Sequence, residues 1–135
     1  IDAEIVNNDA AAHQKAVYTD HTFDIAVGPP VFRGDPAIST TILVQSGIPD
    51  GVPFSNQGGY ANAEIDAVIA KAAETIDEKA RTDLYKEFQK LVAADLPLIN
   101  VAEWGFITVG RDSVHNVSNN PRWAVSNWAD TWIDG

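Results

Sequence analysis

The chain contains no cysteine, which excludes disulfide bonds, thiol catalysis and cysteine-based zinc or iron–sulfur sites. It is also poor in basic residues: 9 Lys and Arg stand against 19 Asp and Glu, giving a formal net charge of −10. Such a charge repels nucleic-acid phosphate and anionic membranes, so we expect neither as a partner. No apolar run approaches the roughly 18 residues of a membrane span, and no stretch has the pattern of a signal peptide.

The 135 residues suffice for one small domain or a piece of a larger one, and an apolar content of 45% is ordinary for a soluble globular protein. The chain opens at Ile1 in a strand-like alternation and has no initiator Met. We therefore expect it to begin inside a longer protein, so that the missing export signal carries no information about location.

The first third of the chain has the pattern of a strand–helix–strand unit. Residues 1–6 alternate apolar and polar, Asn8 or Asp9 is placed to cap a helix over residues 10–18, and residues 22–28 predict a second strand. This order indicates a βαβ unit with a right-handed crossover. Residues 28–59 are dense in Gly and Pro and predict a long connection with at most short helical turns over 37–45.

Two capped helices are predicted next. Asn62 precedes a helix with an apolar stripe, and Asp77 precedes a longer one that continues to Asp95, before Pro97. The two stripes comprise Ile65, Val68, Ile69, Ala72 and Ala73, and then Ala80, Leu84, Phe88, Leu91 and Val92. Residues 98–102 and 106–109 predict short strands, and a polar tail follows that contains Trp123, Trp128 and Trp132.

Nothing in the sequence indicates catalysis. His13, His21 and His115 lack the spacing of metal ligands, and no nucleophile motif accompanies the Ser and Thr residues. The carboxylates Asp24, Asp35 and Asp66 have nothing to mark a general acid and base pair. We therefore expect no enzyme activity, no metal site and no cofactor.

Four blocks of sequence, taken together, go beyond these bulk properties. They are residues 23–28, Gly34-Asp35-Pro36, residues 56–69 with the pattern Asn-x-x-Gly-Tyr-x-Asn-x-Glu-Ile-Asp, and residues 77–97, which contain Arg81, Tyr85, Gln89 and Asp95-Leu96-Pro97. In order and spacing they resemble the family 5 extracellular solute-binding proteins, the peptide, dipeptide and nickel-binding components of ABC transporters. The resemblance covers nearly the whole chain.

The resemblance implies an α/β fold, namely part of the C-terminal lobe of a type II periplasmic-binding protein. Residues 1–102 would form the second half of that lobe. Residues 103–135 would cross the hinge and pack on the N-terminal lobe of the same protein, which is missing here. An incomplete lobe leaves backbone groups unpaired, so we expect the isolated chain to form a homo-oligomer through its exposed sheet edge.

Ligand contacts are expected in the loop that follows the second strand, since clefts of α/β folds lie at the carboxyl ends of strands. Peptide binders of the family carry a Trp and an Asp there, and this chain has Pro29 and Phe32 at those positions. Phe32 offers an aromatic platform instead, or packs in the loop. Arg33 offers a cation for a carboxylate or phosphate, or is solvated.

Asn56 and Trp104 complete the predicted ligand-binding residues. Trp104 stands beside Gly105 at the inferred hinge, where its ring would stack on ligand or pack in the interior. The function implied is capture of a peptide or other small solute, including sugars, opines and metal chelates, in an extracytoplasmic or periplasmic space. The ligand would pass to an ABC permease after hinge closure.

Two alternatives remain open. The same domain serves as the ligand-sensing part of a regulator if the full-length protein begins with a helix-turn-helix rather than a signal peptide. A small hydrolase would require an acid, a base and a nucleophile in one cluster.

Overall fold

The computed structural model describes residues 2–28, 34–102, 109–117 and 128–135. Their contacts divide into two units, Ile1–Pro97 and Leu98–Gly135, whereas the boundary predicted between lobe and tail lies after residue 102. Among these residues, no helix combines the length and the apolar character that a bilayer crossing requires.

A short helix opens the first unit. Helix α1 spans Ala10–Gln14, and the Asp9 carboxylate accepts a hydrogen bond from the Ala12 backbone N–H at 2.8 Å, as an N-cap does. The chain then widens into a π-helical turn over Lys15–Thr19, whose one buried residue is Val17. Asp9 is one of the two caps that the sequence predicts, and the predicted helix over 10–18 is confirmed in position.

Helix α2, Ala63–Glu74, begins where the sequence predicts. The Asn62 side-chain oxygen accepts hydrogen bonds from the backbone N–H groups of Glu64 at 2.9 Å and Ile65 at 3.2 Å. These N–H groups have no partner inside the helix, which is why a short polar side chain is favoured before the first turn. Three residues of the predicted stripe are buried: Ile65, Val68 and Ala72.

Helix α3, Glu78–Asp95, follows after only three residues. Asp77 caps it by accepting from the Ala80 backbone N–H at 2.8 Å. The helix ends at Leu96, which adopts a left-handed conformation with φ of 49°, immediately before Pro97. Leu84 and Phe88 are its buried residues, so the predicted cap is confirmed, and of the rest of the predicted stripe Leu91 and Val92 are partly buried and Ala80 is exposed.

The core lies between α2 and α3 and is closed by the connection that precedes them. Val44, Ile65 and Ala72 are at most 1% exposed and pack with Val68, Leu84 and Phe88. Val44 follows two short 3-10 turns, Pro36–Ile38 and Thr41–Leu43. The second turn falls inside the predicted 37–45 segment, and the first begins one residue before it. The aliphatic content of the proline-rich connection thus helps to complete the helical core.

The second unit contains a two-stranded ladder. Strand β1, Val114–His115, pairs antiparallel with β2, Trp132–Ile133. Two further bonds hold this pairing, because Asn116 Nδ2 donates to the Asp130 carbonyl at 3.2 Å and Thr131 Oγ1 donates to the Asn116 carbonyl at 3.1 Å. Trp128 and Trp132 are about half exposed, and Trp123 lies outside the described residues.

The strands predicted over residues 1–6, 22–28 and 98–102 are wrong for the described residues. These segments have no strand pairing, and their apolar side chains face solvent, with Ile5 and Ile25 each 83% exposed and Ile99 80% exposed. A strand is defined by its pairing, and alternation alone supplies no partner. The fourth predicted strand, 106–109, lies almost entirely outside the described residues. The α/β lobe itself remains a prediction.

Candidate functional site

The turn at Asp35 is tied to helix α3 by a two-pronged ion pair. Arg81 Nη2 donates to Asp35 Oδ1 at 2.8 Å, and Arg81 Nη1 donates to Asp35 Oδ2 at 3.1 Å. This parallel geometry matches the planar guanidinium to the planar carboxylate, a match that lysine cannot make. Asp35 Oδ1 also accepts from the Ala37 backbone N–H at 2.9 Å and so caps the first 3-10 turn.

The same arginine binds two further groups. Its Nε donates to the Ala72 carbonyl at 3.3 Å, one of the last carbonyls of α2, which have no partner inside that helix. Its Nη2 donates to the Tyr85 hydroxyl at 3.0 Å, and its guanidinium carbon lies 5.0 Å from the centre of the Tyr85 ring. Arg81 therefore joins three pieces of chain: the 35–37 turn, the end of α2, and the side of α3.

The electrostatics of this pair follow from its geometry. The hydrogen bonds from Arg81, and after them the one from the Ala37 backbone, hold the pKa of Asp35 below its ordinary value. The carboxylate therefore stays charged at mildly acidic pH. Because Asp35 stands two residues after Arg33, this anchor fixes the chain directly beyond the predicted ligand-contact loop.

A second link joins the start of α2 to the end of α3. Asp95 Oδ2 accepts from the Tyr60 hydroxyl at 2.6 Å and from Asn62 Nδ2 at 2.8 Å. Asp95 is the last residue of α3, where the helix dipole disfavours a negative charge. The two donors offset that effect, and they lower the pKa of Asp95, with the Tyr60 bond as the larger cause. The same bond raises the pKa of Tyr60.

Acid should weaken the fold through this link. A carboxyl group whose pKa is lower in the folded state contributes stability above its unfolded pKa, and this contribution is lost as the pH falls through the folded value. We expect the unfolding temperature to fall between about pH 5 and pH 2, and to fall less in Tyr60→Phe, which keeps the ring and removes the donor. Thermal denaturation followed by circular dichroism checks this. An unchanged acid dependence in Tyr60→Phe would contradict it.

Asn56, the one predicted ligand residue within the described ranges, has its side chain engaged inside its own loop. Its Nδ2 donates to the Gln45 carbonyl at 3.1 Å and to the Tyr60 carbonyl at 2.6 Å, while its Oδ1 accepts from the Tyr60 backbone N–H at 3.1 Å. The amide thus closes the glycine-containing loop ahead of α2 and leaves both of its hydrogens occupied. A ligand contact by Asn56 stays a prediction.

The other three predicted ligand residues, Phe32, Arg33 and Trp104, lie outside the described residues. Their proposed contacts also stay predictions. The structure therefore shows how Asp35, just after the expected contact loop, is anchored, rather than the contacts themselves.

Two of the three histidines, His21 in a loop and His115 in β1, make side-chain contacts within the structure. His21 has its two ring nitrogens at 3.2 Å from the Gln57 carbonyl and 3.1 Å from Asp50 Oδ1. His115 stacks on the Trp132 ring at 4.0 Å between centres and contacts Asp134 Oδ1 at 3.0 Å. Across the ranges that the structure describes, no group of three or more His, Asp or Glu side chains is placed to hold a metal ion.

No family model, no curated protein and no solved structure matches this chain.

The sequence patterns did not predict the two side-chain contacts between blocks. Arg81 and Asp35 are 46 residues apart, and Tyr60 and Asp95 are 35 apart, so no local periodicity relates them. The available signal was chemical: opposite charges at Asp35 and Arg81, and neutral donors at Tyr60 and Asn62 for the Asp95 carboxylate. In the structure Arg81 attaches α3 to the Asp35 turn and also contacts Tyr85.

Proposed function

We propose that the chain is part of the C-terminal lobe of a family 5 type solute-binding protein, the extracytoplasmic component of an ABC importer. In this role it performs no covalent chemistry. It captures a small solute in a cleft between two lobes and presents it to the permease after the lobes close.

The proposal rests on one observation: the sequence blocks that resemble the family contact one another in the structure. The Gly34-Asp35-Pro36 block binds Arg81, and the Tyr60 and Asn62 block binds Asp95. Residues that hold a fold together must keep their order and spacing. The resemblance therefore rests on a connected set of contacts, which supports a shared lobe more strongly than four isolated motifs would.

The exposure of the flanking segments also favours this role. Ile5, Ile25, Val27, Ile99 and Val101 are each at least 76% exposed although they lie in strand-like sequence. Large exposed apolar surface on a globular unit usually marks an interaction surface. In the proposed protein, other parts of the lobe cover these side chains.

The proposed ligand contacts come from Phe32, Arg33, Asn56 and Trp104. Peptides are the commonest ligands of the resembled family, but Phe32 stands where its peptide binders carry an Asp for the amino terminus. Arg33 favours a ligand that carries a carboxylate or phosphate. Acidic conjugates of amino acids and sugars are therefore as well matched to this loop as peptides are.

A thermal-shift screen of the full-length protein tests the proposal. The screen covers short peptides, sugars, opine-type conjugates and metal chelates, and we expect one class to raise the unfolding temperature. A ligand at 100 times its Kd stabilises the folded state by about 2.7 kcal/mol. Arg33→Ala should reduce that shift, whereas Arg111→Ala, a change at an exposed arginine elsewhere in the chain, should not. If no class shifts the transition, the solute-capture function is wrong.

A further inference from the structure

A groove of about 370 Å³ opens on the surface of the first unit, between helix α2 and the 3-10 turns that precede it. This volume lies toward the small end of the range of about 300–1,000 Å³ in which proteins hold small molecules. Part of the lining is apolar and comes from Ile69, Ala70 and Ala73 on α2. The small side chains at 70 and 73 keep the groove open.

Among the described lining residues there is one carboxylate, that of Asp66, and the protein uses only part of its hydrogen-bonding capacity. Asp66 Oδ1 accepts from the Ser46 backbone N–H at 3.0 Å, and its Oδ2 accepts from the Ser46 hydroxyl. A carboxylate offers about four lone-pair positions, so acceptor capacity remains after these two bonds. No Lys, Arg or His is among the described residues that line the groove.

Two neutral polar groups in the lining also have unused capacity. The Tyr85 hydroxyl accepts from Arg81 Nη2 at 3.0 Å, which leaves its own hydrogen to donate elsewhere. The Gln45 backbone carbonyl accepts from Asn56, but its side-chain amide has no hydrogen-bond partner among the residues described. The Tyr85 hydroxyl and the Gln45 amide can therefore hydrogen-bond a second polar group of a ligand whose first polar group binds the carboxylate.

We propose that this groove binds a small primary alkylammonium compound. Its N–H groups donate to the Asp66 carboxylate, and its alkyl chain lies against Ile69, Ala70 and Ala73. Charge complementarity selects this occupant: among the described lining residues an anion meets a carboxylate and no Lys, Arg or His, and a neutral alkyl group leaves that carboxylate without a counter-charge. The net charge of −10 further raises the local concentration of cations. The proposal is independent of solute capture in an interlobe cleft.

Titration of the ¹⁵N-labelled full chain with n-butylammonium, followed by NMR at constant ionic strength, tests the proposal. We expect saturable shifts at the backbone amides of Ser46, Asp66 and Ala70. n-Butanol lacks the charge and tetramethylammonium lacks N–H donors, so each should bind at least about tenfold more weakly. Equal affinity for either control would overturn the proposal, as would shifts that map elsewhere on the chain.

Two variants distinguish a loss of binding in the groove from a general loss of fold stability. Asp66→Asn should weaken n-butylammonium binding at least about tenfold, but it also alters the bonds to Ser46. Ala73→Leu fills the groove and leaves those bonds in place, and it should cause a similar loss. The control Glu74→Gln removes the carboxylate next in sequence, which does not line the groove, and should change the affinity less than about twofold. Full affinity in Ala73→Leu would refute the site.

Discussion

Replacing Ile65 with alanine should lower the free energy of unfolding by about 2–5 kcal/mol, the range for large-to-small changes in a packed core. Ile65 is 0% exposed and lies at the centre of the contact between α2, α3 and Val44. The substitution removes buried apolar surface and leaves a cavity that the surrounding helices can only partly fill. Urea denaturation followed by helical circular dichroism measures the loss.

The chain supplies a matched control for this experiment. Ile76 lies in the connection that joins α2 to α3 and is 97% exposed. Its replacement by alanine should change the free energy of unfolding by less than about 0.5 kcal/mol. Equal losses at the two positions would show that α2 and α3 do not pack as described.

Replacing Arg81 with alanine should have the second largest effect, a fall in unfolding temperature of roughly 5 °C or more. The change removes the paired bonds to Asp35, the bond to the Ala72 carbonyl and the contact with Tyr85 at once. Arg81→Lys should recover only part of the loss, because an ammonium group cannot make the forked contact. Lys79→Ala, which breaks an exposed contact with Asp83 one turn away in α3, serves as the control and should have little effect.

A double-mutant cycle shows whether Asp35 is the main partner. If the two side chains act as a unit, Arg81→Ala combined with Asp35→Asn should cost clearly less than the sum of the single changes. Strict additivity would mean that the ion pair contributes nothing to the attachment of the 35–37 turn. The loss from Arg81→Ala would then be due to its contacts with α2 and Tyr85.

Local chemistry was sufficient to predict the helices. A helix start leaves N–H groups without partners, and only a few types of side chain can accept their hydrogen bonds. Asn62 and Asp77 therefore mark in the sequence where α2 and α3 begin. The spacing of Ile65, Val68 and Ala72 then identifies the buried face, as the structure confirms. Ala73 and Ala80 belong to the same predicted stripes but are exposed, because the contact between the two helices is narrower than the stripes.

The strand predictions failed because local sequence does not identify the partner of a strand. Alternation shows that a segment suits a pleated surface, but the pairing that makes it a strand depends on another segment of chain. Ile25 and Val27 have the alternation and no partner in the described residues. The links at Asp35 and Asp95 were missed because each joins positions more than thirty residues apart, a relation that no repeat or period records. The expected self-association through a sheet edge stays a prediction, which light scattering can check.

The short connection between α2 and α3 has a consequence for how the chain folds. Two helices joined by Thr75, Ile76 and Asp77 meet through neighbouring residues, so little chain entropy opposes their pairing. Attachment of the Asp35 turn closes a far longer loop, and its partner Arg81 is presented only once both helices have formed. We therefore expect the pair of helices α2 and α3 to form first and to nucleate folding. The proline-rich connection should then pack against them late, so that changes at Asp35 mainly accelerate unfolding.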